Sequence, residues 1–326
     1  MRCTRWHRGY RVPRKRGGRL AFSAILSEMR LSQFQIVMRH AIAYLCALAG
    51  GIVQGQTGPG AVTLTPAVVE AGSPVLIHVE ETATAKINGE WMGRKLGFFR
   101  GHAGHDWFAL VGVDVQGAVG PSPLRIDVKL EGGGARDLSR TIEIRSAHYR
   151  TGSLTVEPKF VEPDPEEQKR IEAEAQLKAR VFAASAQEPL WSGSFRAPVN
   201  AAPTDSFGKR RMFNGKLASI HKGMDFRAPM GMPVRAGNSG VVVLARELYF
   251  EGNCVVIDHG LGLFTVSMHL SRIDVREGQQ VVKGQRLGLS GATGRVTGPH
   301  LHWAVRWQDA YLDPAKLLRL DLSLVR

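Results

Sequence analysis

Residues 297–305 read TGPHLHWAV: two histidines on either side of one leucine, after a Gly-Pro pair and at the head of an apolar run. Along a strand, residues two apart lie on one face, so HLHWAV as a strand presents His300 and His302 together. Packing rarely calls for such a pair. A matching stretch lies upstream: SIHKGMDFRAP (219–229) holds His221 and Asp225 at a spacing of four. Positions four apart share a face on a strand as they do on a helix, and Gly223 and Pro229 favour the extended form. Two such segments side by side gather three nitrogen and oxygen donors. Catalytic zinc takes three protein ligands and keeps a fourth place for water; one aspartate and two histidines fit that set, with one histidine to spare. A closed structural site would need a fourth protein ligand.

A third segment, TVSMHLS (265–271), adds His269. Alternation groups it with Thr265 and Ser267 on a polar face, opposite Phe264, Val266 and Met268. His259 shares a face with Val255 and Ile257 and reads as a packed histidine. His102 and His105, in the Gly-rich GHAGHDW, have no evident third ligand and read as a solvated loop.

HKGMDF (221–226), GNCVVIDHGLGLFTVSMHLS (252–271) and GATGRVTGPHLHWAV (291–305) together resemble the M23 family of zinc metallopeptidases, the lysostaphin/LytM type. The likeness spans about 205–315 and includes the lead-in FGKRRMFNG at 207–215. It implies that His221, Asp225 and His302 hold Zn²⁺, with His269 and His300 as the two active-site histidines. It further implies an open antiparallel β-sheet groove and cleavage of peptidoglycan stem or cross-bridge peptides. In that scheme His300 takes the proton of the attacking water and His269 steadies the developing oxyanion. The chain departs from the family pattern at Ser267, often aromatic, and at Val296, often Ser; neither is a ligand. An alternative is a non-catalytic envelope protein of the same fold that binds wall or activates another hydrolase; such proteins lack ligands that are all present here.

Outside this region, 57–150 carries short β-branched runs (VTLTPAVV, PVLIHVE, WFALVGVDV, LRIDVKLE, RTIEIRS) parted by Gly/Pro clusters, which predict an immunoglobulin-like β-sandwich. In 151–190, Asp164, Pro165 and Glu167 form a capping-box start for a connecting α-helix over about 165–185. Ala173, Leu177, Val181 and Ala184 make one apolar stripe and Ile171, Ala175 and Phe182 a second, so the helix is expected to touch neighbours on two sides. Residues 191–326 form the peptidase-like domain, mainly β, with a short helix over 313–320.

The formal charge of +14 is uneven: the first 55 residues hold ten Lys/Arg against one Glu, leaving +5 on the remainder. That is too mild to argue for nucleic acid. The run AIAYLCALAGGIV (41–53) has the length of a signal-peptide core and is short for a membrane span. Residues 1–56 therefore read as a leader with its core at 38–55, and the protein as exported to the periplasm or cell envelope with no stable span after cleavage. An envelope regulatory protein is a candidate partner. Cleavage would leave Cys254 alone, without an intrachain disulfide. There is no GxSxG elbow, HExxH or phosphate loop.

Overall fold

The computed structural model describes residues 61–325, except 82–84, 103, 105, 154–163, 214–215 and 324. The leader, Cys3, Cys46 and His105 lie outside the described residues; His102 is an exposed turn residue, as expected. No described helix is long and apolar enough to cross a membrane.

Between 61 and 145 the chain builds two sheets. In one, Pro74–Glu80 pairs with Val62–Thr65 on one side and Asp106–Gly112 on the other, with Phe99–Arg100 at the edge. In the other, Gly120–Leu130 lies between Ala85–Trp91 and Ala135–Arg145. Strict alternation in Gly120–Leu130 sends Leu124, Ile126 and Val128 inward and Arg125, Asp127 and Lys129 outward. These side chains share one core with Val75, Ile77 and Leu110 of the first sheet. All five apolar runs read from the sequence lie in these strands; AKINGEW (85–91) is an additional one. Its inward positions include Gly89, where a Cβ would come within 2.9 Å of Phe98, so the apolar signal is weak.

From 203 onward the strands form an antiparallel sheet, ten-stranded among the described residues, whose centre runs Met224–Phe226, Leu301–Trp307, Leu263–Ile273, Gly252–Asp258, Gly240–Leu248; Arg210–Phe213 and Lys216–Ile220 instead join Thr151–Ser153 in a separate three-stranded sheet. Its two faces differ. The back face (Val255, Ile257, Leu263, Trp303, Val305, Trp307) joins the main core. The front face carries Leu244, Cys254, Val256, Phe264, Val266 and Ala304, a separate apolar cluster.

The helix Pro165–Ala183 covers that front cluster. Its start is as the sequence predicts: Asp164 accepts N–H bonds from Glu166 and Glu167, and Glu167 accepts one in return from the Asp164 N–H. The two apolar stripes do not serve two neighbours, however. Leu177 and Val181 from one and Phe182 from the other all pack on the same sheet face. Polar groups pin the helix there: Lys178 pairs with Glu251, Glu174 accepts from the Tyr249 N–H at 2.8 Å, and beyond the helix Ser185 donates to Asp258 at 2.7 Å. Asp313 caps the short helix Pro314–Arg319.

The described residues belong to one compact body. Tyr311 and Leu312 join its parts: the Tyr311 N–H donates to Asp114, and Leu312 fills the space above Gly112, where a Cβ would meet it at 2.3 Å.

Candidate metal centre

Asp225 and His302 are direct partners across the strand pair Met224–Phe226 and Leu301–Trp307. Facing residues on antiparallel neighbours have their Cβ atoms about 5 Å apart on the same side, so this register alone brings the carboxylate to the imidazole. His221 reaches the same point from the turn before the strand. His221 Nε2, Asp225 Oδ1 and His302 Nδ1 form a triangle with sides of 3.1, 2.8 and 3.0 Å. The three are the group among the described residues able to hold a metal ion.

Hydrogen bonding explains why the triangle suits a cation. His221 Nδ1 lies 2.9 Å from the Ser206 carbonyl, which can only accept, so Nδ1 carries a proton and Nε2 is the nitrogen turned toward the triangle. Burial alone would raise the Asp225 carboxyl; the adjacent His221 and His302 outweigh it and hold it well below the usual carboxylate range. An ionised carboxylate oxygen and two imidazole nitrogens thus converge on one point. Around zinc, bonds of about 2.0–2.1 Å give tetrahedral edges of roughly 3.3 Å, close to the sides observed. The donor set fits a borderline-soft divalent ion.

Two of the supports are easy to miss in a sequence. The segment 208–209 brackets His221 by main-chain bonds, Gly208 N–H to His221 O at 2.8 Å and His221 N–H to Lys209 O at 2.9 Å. Gly223 is the second: a Cβ there would sit 2.4 Å from His302 Nε2 and 2.8 Å from the Trp303 carbonyl, so only glycine lets the His302 ring lie against this turn.

His300 and His269 stand beside the triangle. Their rings are 5.0 Å apart, and His269 is 6.0 Å from the His302 ring. His300 Nε2 is 3.8 Å from Asp225 Oδ1. Simple alternation does not deliver His269 here. Met268 faces His302 on the front of the sheet, whereas Ser267 and Thr265 face the back, where Thr265 bonds to the buried His259. The expected polar face shared by Thr265, Ser267 and His269 is therefore not the site face. A bulge opposite Asn253–Val255, with His269 at φ 64°, turns its ring forward. Positive φ is costly for a residue with a Cβ, and bonds from the His269 N–H to Glu251 O and from Nδ1–H to Thr293 O, each 2.9 Å, hold it there.

Both rings have their Nδ1 proton committed to a main-chain carbonyl, His269 to Thr293 and His300 to Gly298 at 2.8 Å. In each ring Nε2 is the remaining nitrogen. Burial, reinforced by His302 and His300, pushes the His269 pKa down to about 3, so it is neutral at working pH. A neutral ring in this tautomer presents Nε2 as a proton acceptor, and donation to an oxyanion, the role the resemblance implies for it, would follow its own protonation. His259 is packed, as anticipated. Burial also drives the Cys254 thiol up, leaving it an inert apolar filler.

Residues 219–314 match the family model for peptidase family M23. The chain carries an M23 domain. Over 101 residues it is 50% identical to the peptidoglycan DD-endopeptidase ShyA of Vibrio cholerae serotype O1, covering 31% of this chain and 24% of that protein. ShyB of the same organism, also a peptidoglycan DD-endopeptidase, is 43% identical over 136 residues, 40% of this chain and 31% of its own length. The chain therefore spans less than a third of either relative. The likeness extends beyond the M23 domain in a crystal structure of a putative M23 peptidase from Pseudomonas aeruginosa: TM-score 0.54 and 29% identity, covering 81% of this chain and 95% of that one.

Proposed function

We propose that this protein is a zinc-dependent endopeptidase that hydrolyses peptide bonds of peptidoglycan in the cell envelope. The observation that carries the reading is the three-donor triangle with two acceptor imidazoles beside it: a metal site with protein ligands on one side and proton-accepting groups on the other. The printed names of the relatives support the substrate class.

His221, Asp225 and His302 would hold the metal. When bound, zinc supplies a water whose pKa falls to about 7 and an electrophile for the scissile carbonyl. His300 Nε2, fixed by the Gly298 carbonyl, takes the proton of the attacking water and returns it to the leaving amine. His269 Nε2 is a second acceptor; it orients the water and donates only after it has itself been protonated.

We read 191–326 as the peptidase domain, 151–190 as a helical linker, 57–150 as an immunoglobulin-like accessory domain and 1–56 as an export leader directing the chain to the periplasm. Muropeptide release from purified sacculi tests the function. The zinc-loaded protein should solubilise wall, a chelator should stop it, and zinc should restore it. Asp225→Ala should bring bound zinc near zero and release to background. Release that survives metal removal would refute the reading.

A further inference from the structure

Tyr311 pairs directly with Arg306, and Arg306 lies four residues along its strand from His302. Residues two and four apart share a face, so Tyr311, Arg306 and His302 all stand on the front of the sheet, over roughly 13 Å at about 3.3 Å per residue. A row of alternating rings and cations crosses this surface. The Arg306 guanidinium lies 4.4 Å from the Phe182 ring and 5.1 Å from the Tyr311 ring, and its Nε–H donates to the Gln308 carbonyl at 2.6 Å. Arg306 is thereby committed to bracing Tyr311 from the helix side. Lys222 Nζ also meets the Tyr311 ring, 4.9 Å from its centroid.

Lys222 differs from Arg306 in two respects. It is exposed, and among the described residues no carboxylate is paired with it. It also belongs to the metal-binding turn, between His221 and Gly223. Together with Tyr311 it lines a cavity of about 490 Å³ closed on the other side by residues of the 61–145 region, among them Met92, Asp114 and the exposed Val119. Of the other charged groups of this cavity, Arg94 is paired with Asp309, and the Asp114 oxygens are held in place by the N–H groups of Gln116 and Tyr311. An aromatic face engages one side of an ammonium and leaves its other N–H directions open.

We propose that Lys222 is a specificity-determining residue, which binds a free carboxylate of the substrate peptide in the cavity between Tyr311 and the 61–145 region. An extended peptide rises by the same distance per residue as the strand beneath it, so this carboxylate belongs about three to four residues from the scissile bond. The inference rests on the peptidase reading above. It gives the 61–145 region a part in the substrate site, since Met92, Asp114 and Val119 wall the pocket that Lys222 lines.

The test uses the zinc-loaded full chain and two substrates: muropeptide dimers from digested sacculi, and the same dimers with their carboxylates converted to carboxamides. The wild-type kcat/KM should favour the carboxylate form by about 10-fold, mostly through KM, since an added charged hydrogen bond is of that order. Lys222→Gln should bring the ratio to about 1, and Lys222→Arg should keep most of it. Zinc stoichiometry near that of wild type in both variants separates loss of recognition from loss of the metal site. Hydrolysis whose carboxylate preference is absent, or survives in Lys222→Gln, overturns the inference and leaves the peptidase reading standing. Failure of the zinc-loaded wild type to cleave either substrate overturns the peptidase reading, and this inference with it.

Discussion

His259 follows the strand Gly252–Asp258 and His269 lies in its neighbour Leu263–Ile273; both are buried, and burial depresses both pKa values, to about 4 and about 3. Their surroundings make them opposites. His259, on the back face, has both nitrogens occupied by the protein: Nδ1–H donates to Ser239 O at 2.7 Å and Nε2 accepts from Thr265 Oγ1 at 2.8 Å. His269, on the front face, has only Nδ1 occupied, by Thr293 O, and its ring stands beside those of His300 and His302. A shifted pKa therefore does not separate the two. The destination of the second nitrogen does, and it leaves His269 beside the candidate metal centre.

The strongest test of that contrast is to remove each ring. His300→Ala and His269→Ala should each lower kcat by about 10²–10⁴ while retaining zinc, since general acid–base groups contribute on that scale. His259→Gln should leave kcat nearly intact and lower the melting temperature instead. Metal analysis beside the kinetics makes the comparison breakable: loss of zinc in His269→Ala would move that residue from proton transfer to ligand support.

A smaller effect is expected from Gly223→Ala. The added methyl would lie 2.4 Å from His302 Nε2, with the Trp303 carbonyl at 2.8 Å. The His302 ring must tilt out of the triangle, and groups that orient ligands typically change metal affinity by about 10–100-fold when altered. Competition with a chromogenic chelator measures it. Unchanged zinc affinity would mean that the turn yields before the ring does.

These residues also show where sequence is informative. His221, Asp225, His300 and His302 were legible because two short-range periodicities, two and four residues, put them on common faces, and the register Asp225 to His302 then joins the segments. His269 was found with the wrong geometry: alternation sends it to the back with Thr265 and Ser267, and the bulge that reverses it leaves no local signature in TVSMHLS. The carbonyls of Ser206, Thr293 and Gly298 could not be read at all, because every residue has a carbonyl and only the fold decides where it points. The connecting helix was legible through its capping box. The side it packs on was not, because Phe182 belongs to a different stripe from Leu177 and Val181 yet meets the same sheet.

Acid stability isolates the back-face histidine. His259 titrates at about 4 when folded against an ordinary value of 6.5. Between these two values the unfolded chain binds the proton and the folded chain does not, so unfolding takes up protons and stability rises with pH. The contribution is fully present above pH 6.5 and is lost as pH falls toward 4, by about 3 kcal/mol in all. Metal loss would add its own slope in the same window, because the ligands also take up protons. The measurement therefore belongs on zinc-free protein, comparing denaturant midpoints of wild type and His259→Gln from pH 7 to pH 4. The amide of the variant cannot titrate, whereas His269 and the ligand set titrate in both proteins and cancel in the difference. The wild-type midpoint should fall more steeply than that of the variant, and parallel curves would mean that the back-face ring already exchanges protons in the folded state.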